Sequence, residues 1–169
     1  MISISIVGPE STGKTDIAQA LAAHYNTNWV AEYAREYLND LGRPYEFQDL
    51  SDIAKGQAKY QMVAQKNGDK LVIFDTDLLV LKVWSEFKYG KVDPFILTQL
   101  SLHRPDLYIL TSYDIPYEED PLRENPTDRP ELFTIYEKEL KNIGTPYLVV
   151  QGDRQNRLQT AISQINNLL

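Results

Sequence analysis

Eight residues near the amino terminus, Gly8-Pro9-Glu10-Ser11-Thr12-Gly13-Lys14-Thr15, fit G-x-x-x-x-G-K-[ST] at every place. Such a loop binds phosphate through backbone N–H groups, and its glycines let the main chain approach closely. A helix starting near Lys14 points its positive dipole end at the anion. Lys14 is placed to reach the β- and γ-phosphates and the Thr15 hydroxyl to ligate Mg²⁺, with Asp16 next in the ATP site. An apolar strand before the motif and a helical pattern after it supply the required context.

Asp75 and Asp77 follow the apolar run Leu71 to Phe74. Residues two apart on an extended segment point the same way, roughly 6.5 Å apart. One carboxylate can serve the magnesium shell and the other accept a substrate proton. Asp75 is favoured for the catalytic or metal role and Asp77 for the substrate, although Asp77 also fits a helix N-cap. Glu32, Tyr33, Arg35 and Tyr37 follow the second strand, where a phosphate acceptor would lie. Glu32 can accept from ribose-like hydroxyls, Arg35 can pair with it or with substrate, and the tyrosines can stack on a flat ring. The alternative for Tyr33 and Tyr37 is an i, i+4 aromatic pair facing the core. Trp84 is divided in the same way between core and ring platform.

The segment 112–130 carries four prolines and cannot be one helix. Loops of that length are usually functional or disordered, and Arg123 and Arg129 stand out in it as cations able to close over a transferring phosphoryl group or, alternatively, to pair at the surface with Glu118, Glu119, Glu124 or Asp128. Asp153, after the last strand, can border adenine.

The elements that must position these groups alternate along the chain. Strands end near Gly8, Glu32, Asp75, Thr111 and Gln151, and helical patterns fall between them. That alternation calls for a three-layer α/β fold, a five-stranded parallel sheet flanked by helices, with ligands beyond the strand ends. At 169 residues the chain fits a single domain, 1–169. It has no cysteine and two histidines, so disulfides and thiolate or histidine-rich metal sites are excluded. Net charge of −7 argues against nucleic acid as a partner. No apolar run suits a membrane span and no signal peptide is evident, so a cytoplasmic location is expected.

With these residues in hand, the chain resembles the nicotinamide riboside kinase domain of the bacterial NadR proteins, a P-loop NTPase kinase family. The resemblance rests on GPESTGKT at 8–15, AEYAREYL at 31–38, FDTDLLVLKVW at 74–84, the D-P-L-R of Asp120 to Arg123, and Asp128-Arg129. It implies transfer of phosphate from ATP to nicotinamide riboside, held between the A-R-E-Y segment and the D-T-D strand end, with the lid over the phosphates. It also implies a preceding adenylyltransferase domain, whereas this sequence opens on the first strand, which suggests a stand-alone kinase or a relative with another acceptor. Other readings are a kinase of a different nucleoside or nucleotide and a nucleotide-binding regulatory ATPase.

Overall fold

The computed structural model describes residues 1–66 and 70–169. The elements run β1 (Ile2–Val7), α1 (Lys14–Tyr25), β2 (Trp29–Val30), α2 (Tyr33–Leu41), α3 (Phe47–Lys66), β3 (Leu71–Asp75), α4 (Leu78–Tyr89), α5 (Pro94–Leu102), β4 (Leu107–Thr111), α6 (Arg129–Ile143), β5 (Tyr147–Val150) and α7 (Arg154–Asn166). All five strands are parallel, in the order β2-β3-β1-β4-β5. The crossover leaving β1 runs to one edge and that leaving β3 runs back across β1, so a crevice opens at their carboxyl ends.

Covering helices bury both faces of the sheet, which is why its central strands are apolar throughout. On one face Ile4, Ile6, Ile73 and Ile109 pack against Ile17 and Leu21 of α1 and Ile162 and Ile165 of α7. On the other, Val7, Tyr108 and Leu110 meet Leu79 and Val83 of α4 and Leu132, Tyr136 and Leu140 of α6. A third cluster, including Leu50, Ile53, Leu81 and Ile96, fastens α2, α3 and α5 outside the sheet.

Residues 47–66 form one continuous helix, and α6 starts at Arg129, so Arg129 sits on a helix rather than in the preceding loop.

A buried carboxylate holds the α2–α3 corner. Asp49 accepts two bonds from the Arg43 guanidinium, one from the Tyr37 hydroxyl at 2.8 Å and one from the Glu46 amide at 2.7 Å. The Arg43 bonds, ahead of the cost of burial, hold its carboxyl well below the usual range. A depressed folded pKa stabilises the fold above the unfolded value near 4, and that contribution disappears as pH falls through the folded value. Asp49→Asn should therefore lower Tm by roughly 5 °C at neutral pH. The deficit against the parent should shrink in melts run from pH 6 down to pH 3; a constant deficit would assign the loss to packing alone.

Candidate active site

Pairing of β1 with β3 and β4 brings Gly8 between the ends of those strands. Gly8 has φ +143°, and a Cβ there would lie 2.5 Å from Thr111 Oγ1, so only glycine fits this crossing. Thr12 knits the loop internally, its hydroxyl 2.7 Å from both the Pro9 carbonyl and the Thr111 hydroxyl. Gly13, with φ +79°, turns the chain into α1. Lys14 Nζ donates to the carbonyls of Gly8 at 3.0 Å and Pro9 at 2.7 Å. Burial lowers its pKa, opposed by the nearby charges of Glu32, Asp75 and Glu10.

Asp75 lies across from this loop. Its Oδ2 accepts from the Thr15 hydroxyl at 2.6 Å, while Oδ1 is buried without a partner among the described residues. Burial raises the Asp75 pKa against the pull of Thr15 and Lys14. A hydroxyl, a carboxylate and an unpaired buried oxygen together fit a hard divalent cation whose other ligands are phosphate oxygens and water.

The two aspartates do not share a direction. Thr76 has φ +70°, a conformation β-branched residues rarely adopt, and it breaks the alternation of an extended strand. Asp77 accepts from the Leu79 amide at 2.9 Å as the N-cap of α4. Burial raises its pKa, partly offset by that amide and the neighbouring Tyr108 and Ser5 hydroxyls. It forms no part of the cavity wall, and neither does Asp75. The structure places Asp77 at the helix N-cap that the sequence also allowed.

A cavity of about 470 Å³ runs from the phosphate loop along α2 and α4. Glu32, Ala34, Arg35 and Leu38 line one side; Val83, Trp84 and Phe87 line the other, with Leu132 and Tyr136 at the back. Trp84 is therefore a cavity residue, its indole N–H donating to the Tyr45 hydroxyl. Tyr33 and Tyr37 are not: Tyr33 packs on Gly56 and Tyr60, and Tyr37 binds Asp49. Helical geometry places Ala34 and Leu38 on the cavity face and turns both rings to α3. Glu32 faces the cavity with no hydrogen-bond donor paired to its carboxylate among the described residues. Burial raises its pKa, against the pull of Lys14.

The loop between β4 and α6 closes over the phosphate loop. Arg123 donates to the Ser11 hydroxyl at 3.4 Å and the Glu118 carbonyl at 2.5 Å, and Arg129 donates to the Ser11 and Ile115 carbonyls. Arg35 pairs with Asp120 at 2.9 Å. Asp16 lines the cavity and pairs with Arg154 at the surface, and Asp153 caps α7 by accepting from the Asn156 amide.

One residue that the motifs do not reveal is Arg157. Its buried guanidinium donates to the carbonyls of Gly152, Thr12 and Ser112 and pairs with Asp114, joining the phosphate loop to both flanking loops. Only its position on the inner face of α7 could have marked it.

Comparison with known proteins places these features in context. Residues 3–157 match the model of the AAA domain family. The trifunctional NAD biosynthesis/regulator protein NadR of Escherichia coli (strain K12) is 27% identical over 174 residues, and so is that of Salmonella typhimurium. The alignment takes in 99% of this chain but 42% of each relative, so the chain spans about two fifths of their length. A NadR crystal structure in complex with NR superposes with TM-score 0.86 at 22% identity, over 98% of this chain and 51% of that one. Deoxyadenosine kinase from M. mycoides with bound products superposes with TM-score 0.69 at 18% identity, over 98% of this chain and all of that one. The fold is shared with both of these solved structures.

Proposed function

The chain belongs to the AAA domain family, and on that premise we propose that it is an ATP-dependent kinase of a small nucleoside, with nicotinamide riboside as acceptor. The observation that carries this reading is the cavity joining the phosphate loop to an aromatic and aliphatic chamber with an unpaired carboxylate, Glu32, at the junction. The similarity to NadR proteins over almost the whole chain supports the acceptor.

In this reading the loop amides and Lys14 would hold the triphosphate, and Thr15 and Asp75 would hold Mg²⁺, whose charge would offset that of the phosphate oxygens. Arg123 adds positive charge from above, and Arg129 braces the lid against Ser11. Glu32 takes the proton of the attacking hydroxyl. Asp75 is less suited to that task, because one oxygen is engaged by Thr15 and the residue forms no part of the cavity wall. Trp84 and Phe87 offer flat surfaces to an acceptor ring. The lid shields the transferring group from water.

The test is incubation of the protein with Mg-ATP and a panel of nucleosides and nucleotides, with products separated by chromatography. Nicotinamide riboside should give its 5′-monophosphate and an equal amount of ADP. Preferred phosphorylation of another panel member would replace the acceptor, and equal ADP release without any acceptor would favour a regulatory ATPase.

A further inference from the structure

Glu10 is an unexpected residue for the middle of a loop that wraps a polyanion. A carboxylate there repels phosphate, and its charge acts on both Lys14 and Glu32. Its side chain is nevertheless fully engaged, by the lid. The Glu124 amide donates to both carboxylate oxygens at 3.2 and 3.0 Å, the Asn125 amide to Oε2 at 2.9 Å, and the Asn125 side-chain amide to Oε1 at 3.2 Å. Two successive backbone N–H groups converging on one anion form a nest, and hydrogen bonds to an ionised acceptor are the stronger kind.

The location of that nest gives it a consequence. Arg123 immediately precedes Glu124. On its other side, Asp120 accepts from the Leu122 amide and pairs with Arg35, and the Arg123 amide donates to the Asp120 carbonyl. Arg123 is thus bracketed between an anchor on α2 and an anchor on the phosphate loop. The remaining ties of the lid to that loop run through Ser11, which accepts from the Glu118 amide at 2.8 Å, and through Arg129. The lid has no helix or strand of its own to hold this stretch.

We propose that Glu10 is the positioning residue that docks the lid on the phosphate loop, setting Arg123 over the transferring phosphoryl group and excluding water from it. This rests on the phosphotransfer reading above. Glu10 acts through Arg123, and its charge is tolerated beside the triphosphate because the lid amides neutralise it on closure.

Two measurements test the assignment. The first is limited trypsin digestion with Mg²⁺ and a non-hydrolysable ATP analogue, following the Arg123–Glu124 bond, whose own N–H is bound by Glu10. The parent should resist, Glu10→Ala should be cut about tenfold faster, and Glu10→Gln, which keeps one good acceptor, should fall between. The second is steady-state kinetics on the same variants. Glu10→Ala should lose about 10- to 100-fold in kcat with KM for ATP unchanged or lower, and ADP formed per phosphorylated acceptor should rise above one. Equal cleavage in parent and Glu10→Ala would overturn the proposal, as would a raised KM for ATP at unchanged kcat. A parent that phosphorylates no acceptor would remove the functional reading, while the digestion would still decide whether Glu10 docks the lid.

Discussion

Lys14→Ala is expected to abolish acceptor phosphorylation, a loss of at least about 10²-fold in kcat, without weakening the fold. The lysine is held by the carbonyls of Gly8 and Pro9, inside a loop whose shape depends on Gly8, Thr12 and Thr111 rather than on Lys14 itself. Burial of the ammonium disfavours its charged form and the charges of Glu32, Asp75 and Glu10 offset only part of that, so removing it relieves a cost that an anionic ligand would further offset. The expected signature is an unchanged or slightly higher Tm, a lost thermal shift with Mg-ATP, and no product. Retained turnover would show that the phosphates are held elsewhere and would end the kinase reading. A large fall in Tm would instead mean that the lysine is part of the loop's own structure.

The second large effect separates three acids that the sequence leaves close together. Glu32→Gln should lower kcat by about 10²-fold or more with Tm little changed, because its carboxylate lines the cavity unpaired. Its raised pKa also sets a sign: a base must be ionised, so the rate should climb through a limb lying above the ordinary glutamate range. That limb should vanish in Glu32→Gln. Asp77→Asn should do the opposite, keeping kcat within a few-fold while lowering Tm, because the side chain caps α4 among buried hydroxyls. If Asp77→Asn lost turnover and Glu32→Gln did not, the proton acceptor would be Asp77 and the geometry read here would be wrong. Asp75→Asn should raise the Mg²⁺ concentration needed for half-maximal rate, the mark of a metal contact.

The phosphate loop was legible residue by residue because its chemistry fixes spacing within eight consecutive positions, and local geometry carries it. The alternation of strand and helix was legible because side-chain periodicity reports burial, and the parallel sheet followed from it. The cavity position of Glu32, Arg35 and Trp84 was also within reach, since each follows a strand that ends at the crevice.

Directions of side chains were another matter. Asp75 and Asp77 part company because Thr76 takes a positive φ, which no pattern of residue types announces. Tyr33 turns to α3 where Gly56, 23 residues on, leaves room for its ring, and Tyr37 turns there to Asp49. Glu10 meets Glu124 and Asn125, and Arg157 meets Thr12, across separations of more than 100 residues. Hydrogen bonds of that range depend on how the sheet stacks its loops at one end. The sequence by itself determined the phosphate-loop motif and the fold that carries it; the tertiary structure alone decided which acid lines the cavity, because that depends on a single backbone rotation and on distant partners.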